Sequence, residues 1–248
     1  MSNFLTTIPI AHRGLHSEGI PENSIAAFHA AIAKRYAIEM DIRLTKDNEL
    51  VVFHDDDLRR MAKIDKRIRD CTLHQLERVH LLGTAETIPS FSRFLREVGG
   101  LVPLLIEIKD VPEAKSKDYI RRVAAALEGY RGEYAVQSFQ PFLVKKFKKL
   151  RPDIPCGILA TAEYKKSDFS SGFLWRLKGK LVKNMSFNAY VKPEFISYRL
   201  EDYPQPVTEE FKGIKLAWVA HSEEQEEHIR KYVDNIIFED YLPKHNSL

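Results

Sequence analysis

The sequence of 248 residues contains only two cysteines, Cys71 and Cys156, which lie far apart and outside any spacing typical of a metal site. A disulfide framework is therefore not expected, and a reducing compartment is the simpler assumption. No apolar run approaches the roughly 18 residues of a membrane helix, and the first residues lack the basic start of a signal peptide. We therefore predict a cytoplasmic protein without stable membrane insertion.

The chain also lacks a strong charge of either sign. Its formal net charge is +3, which gives no global indication of nucleic-acid binding. Basic residues cluster locally, at 145–149 and 176–183, as they do on many solvated helix faces. The hydrophobic share of 44% and the charged share of 29% are typical of a globular protein. We predict a single domain over residues 1–248, and the sequence does not indicate an oligomeric state.

One segment brings charged residues together by local geometry alone. Glu39 and Asp41 are two positions apart on a predicted strand, so their carboxylates share one face. Turn-forming residues at 47–48 lead into a returning strand that ends at His54. The connection is shorter than the dozen residues that a parallel crossover needs, so the pair is antiparallel. We assign residues 43–90 to this hairpin arm and a small insertion.

The number of predicted strands indicates the architecture. Nine candidate strands end near residues 12, 41, 54, 107, 139, 159, 190, 220 and 238. Predicted helices alternate with them, at about 23–35, 90–98, 141–150, 169–181 and 194–200, with two more that run from Pro112 to Gly129 and onward from Ser222. Without the antiparallel arm, eight parallel strands remain, which is typical of a (β/α)8 TIM barrel. The rival doubly wound sheet would need a glycine-rich phosphate turn after the first strand, and this sequence has none.

In such a barrel the active site lies at the carboxyl ends of the strands. Those ends carry seven polar residues that could act together: His12, Arg13, Glu39, Asp41, His54, Glu107 and Lys109. Three carboxylates suit Mg²⁺ or Ca²⁺ better than zinc. The histidines are then free to act as general acid and base, and the two cations can bind an anionic group.

Each of these residues also has a structural interpretation. A histidine at a strand end is often a hydrogen-bonded structural residue. Glu39 and Asp41 could form the exposed face of an edge strand, and Glu107 could simply pair with Lys109. Their convergence at one end of a barrel favours a functional site. The histidines without such neighbours are interpreted as surface or packing residues: His16, His29, His74, His80, His228 and His245.

Several short motifs resemble those of one enzyme family. They are Ala11-His12-Arg13-Gly14, Pro21-Glu22-Asn23-Ser24, Glu39-Met40-Asp41, Val52-Phe53-His54-Asp55, Glu107-Ile108-Lys109 and Gln137-Ser138-Phe139. In these motifs the chain resembles the glycerophosphodiester phosphodiesterases. The first 60 residues carry the most specific part of the resemblance, and the later motifs follow in the same order.

The resemblance implies a (β/α)8 barrel that hydrolyses glycerophosphodiesters to an alcohol and glycerol 3-phosphate, within lipid and glycerol metabolism. It further implies that His12 and His54 are the acid–base pair, and that Glu39, Asp41 and Glu107 are ligands of one divalent cation, Mg²⁺ or Ca²⁺. Arg13 and Lys109 would be the phosphate-binding cations. Glu22 would orient the histidines or the loop, and Trp218 would form an apolar wall for the substrate. The nucleophile could be water or a neighbouring hydroxyl of the substrate's glycerol.

Two departures from the family pattern concern substrate choice. Residues 61–64 replace a threonine- and glycine-rich turn, and His221 stands where the family has asparagine. A second interpretation is a phospholipase D-like hydrolase or lyase that acts on lysophospholipids, although no strong interfacial apolar loop is evident. A third is a non-catalytic binder of phosphate metabolites, which the presence of every histidine and acid of the motifs disfavours.

Overall fold

The structure is a computed structural model that describes residues 4–163 and 184–244. The predicted helix at 169–181 and the basic run at 176–183 lie outside the described residues. The strands are β1 (Ile10–Ala11), β2 (Ala37–Leu44), β3 (Leu50–Val52), β4 (Leu104–Ile108), β5 (Tyr134–Ser138), β6 (Cys156–Ala160), β7 (Phe195–Arg199), β8 (Ile214–Ala220) and β9 (Asn235–Phe238). The helices are α1 (Phe4–Thr7), α2 (Ile25–Ala33), α3 (Arg59–Ala62), α4 (Leu73–Leu76), α5 (Phe91–Val98), α6 (Glu113–Ala126), α7 (Pro141–Leu150), α8 (Asn188–Val191), α9 (Pro206–Glu210) and α10 (Glu223–Ile229).

The strands form one sheet that closes into a ring. Its order is β1-β9-β8-β7-β6-β5-β4-β2-β3, and β1 also pairs with β2. All pairs within the ring are parallel, whereas β3 lies outside it and pairs antiparallel with β2, Ile42 opposite Val52. The predicted eight-stranded parallel barrel with an antiparallel arm is confirmed.

Local sequence signals set several helix ends. The hydroxyl of Ser24 accepts a hydrogen bond from the backbone N–H of Ala27, as expected of a serine that precedes a helix. Ser90 and Ser222 begin α5 and α10 in the same way. Gly99 ends α5 in a left-handed conformation, φ 55°, which a residue without a side chain adopts at little cost.

One predicted strand was wrong. Residues 185–190 were expected to form the sixth barrel strand, with a short helix at 194–200. Instead α8 occupies part of the first segment, and β7 occupies most of the second. Both segments are short, apolar and aromatic, so their composition alone does not separate strand from helix. Pairing decides, because β7 aligns Phe195 with Gly157 of β6 and with Ile214 of β8.

Two apolar clusters stabilise the ring. The larger joins the sheet to the surrounding helices. The smaller joins Phe4 and Leu5 of α1 to residues from strands around the ring, among them Ile10, Leu105 and Phe195. Gly157 makes room for this packing, because a Cβ atom there would lie 2.2 Å from the ring of Phe195.

The segment after β3 packs as a small unit on the arm. Val51 and Phe53 contact apolar residues of α3, of α4 and of the turns between them, including Met61, Ile68 and Leu76. Thr72 begins α4 with a reciprocal pair of hydrogen bonds to Gln75, which is a capping box. This cluster supports the loop that carries His54.

Within residues 4–163 and 184–244, none of the helices has both the length and the apolar character that crossing a bilayer would require.

Candidate active site

Three acidic side chains meet at the carboxyl ends of β2 and β4. The register of these strands places Asp41 opposite Glu107, and Glu39 lies two residues before Asp41 on the same face. Their exposed fractions are 2% for Glu39, 1% for Asp41 and 6% for Glu107. Carboxylate oxygens of the three lie within 4.8 Å of one another. This is a buried cluster of hard oxygen donors.

Cations and donors surround the cluster. Lys109 Nζ lies 2.8 Å from Asp41 Oδ1 and 2.6 Å from Glu107 Oε1, so the ion pair that was the structural alternative is present and extends to a second acid. The backbone N–H of Arg13 donates to Glu39 over 3.0 Å. The Asn23 amide donates to Asp41 Oδ2 over 2.8 Å. The carboxylates are therefore held in fixed positions.

The charges in the cluster are not balanced evenly. Burial, followed by the charges of Asp41 and Glu107, raises the pKa of Glu39 well above the ordinary range. Burial opposes ionisation of Asp41 as well, but Lys109 and His54 overcome it and lower the pKa of that carboxyl. A divalent cation would relieve the repulsion felt by Glu39, and the all-oxygen donor set suits Mg²⁺ or Ca²⁺. The residues present fit such an ion.

His54 follows β3 and is held from two sides. Its Nδ1 atom lies 2.7 Å from Asp55 Oδ1. Arg60 donates to Asp55 Oδ2 over 2.8 Å and to both carboxylate oxygens of Glu22 over 2.6 Å. The Nε atom of Arg43 donates to the carbonyl oxygen of His54 over 2.8 Å, which fixes the backbone. Ring and backbone are thus both positioned.

His12 directly follows β1 and has an equivalent carboxylate partner. Its Nδ1 atom lies 2.7 Å from Oε2 of Glu239, the residue after β9. His16 Nε2 lies 3.2 Å from the same oxygen. Burial is the main cause of a lowered pKa at His12, and Asp41 acts on His12 in the opposite direction. Because Asp41 also interacts electrostatically with His54, the two histidines share one acidic neighbour.

Arg13 connects Glu22 to the acid cluster. Its Nη1 atom donates to Glu22 over 2.8 Å, and its Nε atom lies 3.7 Å from Asp41 Oδ2. Its backbone is left-handed, φ 54°, which directs its N–H to Glu39. Glu22, predicted to orient the histidines or the loop, bridges Arg13 and Arg60.

Trp218 lies on β8, which is not a neighbour of β2 or β4 in the barrel. Its indole N–H donates to the carbonyl oxygen of Ser197 over 3.1 Å, and its ring packs edge-on against Phe139 at 5.6 Å. The side chain is half-buried. His221, the departure at the end of the same strand, has its Nδ1 atom 2.8 Å from Asp240 Oδ2 and 3.4 Å from Glu239 Oε1.

A cleft lies on the side of the insertion, and its lining includes none of the acids or histidines described above. It has a volume of about 890 Å³, and its lining includes Arg43, Asp56, Arg69, Asp110, Gln140 and Phe142. Phe142 is 48% exposed and packs with Phe187 and with Tyr190, which is 54% exposed. Lys145 lies over the ring of Tyr190 at 5.1 Å. An exposed aromatic patch thus borders the cleft.

A family model described as the glycerophosphoryl diester phosphodiesterase family matches residues 12–198. The chain belongs to this family. The predicted resemblance is confirmed, and with it the assignment to a family of phosphoric diester hydrolases. The match includes His12, Glu39, Asp41, His54 and Glu107.

The relatives agree with the family model. The Bacillus subtilis (strain 168) protein YhdW is 35% identical over 165 residues, 62% of this chain and 66% of its own length. A glycerophosphodiester phosphodiesterase of Caldanaerobacter subterraneus subsp. tengcongensis is 32% identical over 169 residues, 62% of this chain and 67% of its own length. These matches span about two thirds of the relatives' lengths. The crystal structure of a glycerophosphodiester phosphodiesterase from Parabacteroides distasonis is 25% identical, with a TM-score of 0.73, over 95% of this chain and 93% of that one.

The structure adds residues to the predicted set. Glu239 was not among the predicted site residues, and His16 was interpreted as a surface or packing residue, yet Glu239 contacts His12 and His16 contacts Glu239. Asp55 belonged to a motif of the family without an assigned role, and it contacts His54 and accepts a hydrogen bond from Arg60, a further residue that was not predicted. An acid directly after a barrel strand is a signal that could have identified Glu239, because all such strand ends meet at one rim.

Proposed function

We propose that the chain hydrolyses glycerophosphodiesters to an alcohol and glycerol 3-phosphate. One observation carries the proposal: two histidines, each with Nδ1 2.7 Å from a carboxylate oxygen, flank a buried cluster of three acids. A carboxylate at Nδ1 fixes the ring so that Nε2 is the atom presented for proton transfer. The arrangement supplies a base on one side of a phosphodiester and an acid on the other.

Glu39, Asp41 and Glu107 would hold one divalent cation, Mg²⁺ or Ca²⁺. When bound, such an ion supplies positive charge that polarises a phosphoryl oxygen. Arg13 and Lys109 are the phosphate-binding cations of the proposal, and both already contact Asp41. Trp218 is the apolar wall for the substrate, and Glu22 keeps Arg13 in place.

The proton transfers belong to His12 and His54. One imidazole removes a proton from the nucleophile, which is water or the neighbouring hydroxyl of the substrate's glycerol, as a new P–O bond forms. The other protonates the alkoxide as the P–O bond to the alcohol breaks. Each transfer contributes about 10²–10⁴-fold. Hydrolysis of a cyclic phosphate would follow if the substrate hydroxyl attacks first.

An assay of released glycerol 3-phosphate tests the proposal. Glycerophosphocholine and glycerophosphoethanolamine are incubated with protein treated with EDTA, and then with Mg²⁺ or Ca²⁺ added separately. We expect EDTA to abolish turnover and one of the ions to restore it. Turnover that persists without divalent ions would overturn the ligand assignment, and no turnover of any diester would leave a non-catalytic binder.

The aromatic patch favours a second candidate substrate, a lysophospholipid. Phe142 and Tyr190 border the cleft and could contact an acyl chain, with Lys145 near an anionic surface. The same assay with lysophosphatidylcholine beside glycerophosphocholine separates the two candidates. Phe142→Ala should slow turnover of the lysolipid about thirtyfold, because loss of a large apolar contact costs about 2 kcal/mol, and should leave the soluble diester unaffected.

The proposal includes a cytoplasmic location. Both cysteines are buried free thiols, a form that a reducing compartment preserves.

A further inference from the structure

A second group of potential metal ligands lies beside the acid cluster. His12 Nδ1, His16 Nε2 and a carboxylate oxygen of Glu239 all lie within 4.8 Å of one another. The two nitrogens lie 2.7 Å and 3.2 Å from the same oxygen, Glu239 Oε2. Their donor set, two imidazoles and one carboxylate, differs from the three carboxylates of the cluster described above.

We propose that His12, His16 and Glu239 form a separate site for a transition-metal ion such as Zn²⁺, and that an ion bound there inhibits the enzyme. Two histidines and one glutamate are a common ligand set of zinc sites that keep a fourth position for water. Zinc bonds of 2.0–2.2 Å in a tetrahedron separate neighbouring ligand atoms by about 3.3 Å. The 3.2 Å between His16 and Glu239 matches that value, whereas the 2.7 Å contact between His12 and Glu239 would have to lengthen by about 0.6 Å.

The surroundings favour an ion at this place. The side chains are 15% exposed at His12 and 21% exposed at His16 and Glu239, so an ion and its water can enter.

His221 supports the third ligand from outside. Its Nδ1 atom lies 3.4 Å from Glu239 Oε1 and 2.8 Å from Asp240 Oδ2. The hydrogen bond of His221 goes to Asp240, and its longer contact with Glu239 limits where that carboxylate can move. The departure from the family's asparagine at position 221 therefore bears on this rim and not on the acid cluster.

Inhibition follows from which nitrogen of His12 is used. Metal binding takes the lone pair of Nδ1, so the single proton of the neutral ring resides on Nε2. That atom can then no longer accept a proton from a nucleophile. Its N–H is also a far weaker acid than an imidazolium, because giving up the proton would leave an imidazolate. The effect on turnover rests on the proposed function, whereas binding of the ion does not.

A calorimetric titration tests the site without any substrate. Metal-free protein is saturated with Mg²⁺ or Ca²⁺ to fill the acid cluster and is then titrated with Zn²⁺. We expect one zinc ion to bind the wild type. In His16→Gln and in Glu239→Gln the dissociation constant for zinc should be at least about tenfold higher, because even the loss of a residue that only orients a ligand lowers metal affinity by about 10–100-fold. The matched control is His29→Gln. His29 Nε2 lies 3.2 Å from Glu97 Oε2, and within residues 4–163 and 184–244 His29 belongs to no group of three potential metal ligands. Unchanged affinity in His16→Gln would overturn the proposal.

An inhibition assay tests the consequence. With each protein compared to its own turnover without zinc, His16→Gln should require at least about tenfold more Zn²⁺ for half-inhibition. Equal inhibition of the variant and the wild type would place the inhibitory zinc elsewhere, for example at the acid cluster, and overturn the proposal. Absence of turnover in the wild type would contradict the proposed function, while the titration would still decide the zinc site.

Discussion

The guanidinium of Arg60 donates hydrogen bonds of 2.6 Å to both carboxylate oxygens of Glu22. Glu22 lies in the loop after β1, and Arg60 lies in α3 of the insertion. Because Glu22 also accepts from Arg13, and Arg60 also holds Asp55, this pair connects the proposed phosphate-binding arginine to the carboxylate behind His54. The insertion therefore completes the site rather than only covering it.

Arg60→Lys should lower kcat about tenfold to a hundredfold. Lysine keeps the charge but cannot form the fork of hydrogen bonds that fixes Glu22 and Asp55 together, and a small displacement of a catalytic group costs up to about 10²-fold. Steady-state kinetics with glycerophosphocholine measures the effect. We expect the loss mainly in kcat, since Arg60 orients His54 through Asp55.

The neighbouring Arg59 offers the matched control for that substitution. Its side chain is 65% exposed and pairs with Asp65 and Asp57 away from Glu22. Arg59→Lys should leave kcat unchanged. Equal losses in the two variants would mean that the effect of Arg60 is a general one on α3.

His54→Ala and His12→Ala should each lower kcat by about 10²–10⁴-fold, the usual value of one general acid–base group. The fold should persist, because both side chains lie at the rim and His54 is 33% exposed. Kinetics and circular dichroism measure the two properties. His80→Ala is the control, since His80 contacts only the carbonyl oxygen of Thr84 among the hydrogen bonds of the described chain. Near-wild-type turnover of His54→Ala would remove it from the acid–base pair.

Mg²⁺ or Ca²⁺ should raise the melting temperature of protein treated with EDTA. An ion that binds only the folded chain adds about 2.7 kcal/mol to the free energy of unfolding at 100 times its dissociation constant. Glu39→Gln removes one proposed ligand and should abolish most of this shift. Glu128→Gln, an exposed glutamate at the end of α6, should keep it. An undiminished shift in Glu39→Gln would contradict the proposed ligand set.

The sequence predicts the barrel because its signals are local. The bounds of α7 agree with the predicted 141–150, with Pro141 at its first position, and β8 and β9 end at the predicted residues 220 and 238. The position of β7 could not be predicted in this way. Two apolar segments compete there, and only the pairing of β7 with β6 and β8 distinguishes them.

In the candidate site, too, local features were predictable from the sequence, whereas contacts that depend on strand pairing were not. Glu39, Asp41 and His54 are predictable because one hairpin carries them. The contact of His12 with Glu239 joins residues 227 positions apart, and it depends on the pairing of β1 with β9 that closes the ring. A contact made by ring closure leaves no periodicity in the sequence. The partner of His12 was therefore found only in the structure.

The stability that the Glu22 carboxylate contributes is expected to decrease as the pH falls. Burial raises the pKa of Glu22, but hydrogen bonds and charges from Arg60 and Arg13 outweigh it, so the pKa lies below the ordinary 4.5. A carboxyl with a lowered folded-state pKa contributes stability that is fully present above its unfolded value. That stability is lost as the pH falls through the folded value.

Glu22→Gln should therefore lower the free energy of unfolding by about 2 kcal/mol at pH 7, as for hydrogen bonds to charged groups. The difference from the wild type should stay constant down to about pH 5 and shrink below about pH 4, where the wild-type carboxyl also begins to lose its charge. Urea unfolding at a series of pH values measures both curves, and Glu128→Gln provides the exposed control. A difference that grows as the pH falls would contradict the lowered pKa, because it would mean that the folded chain binds the proton more tightly than the unfolded chain.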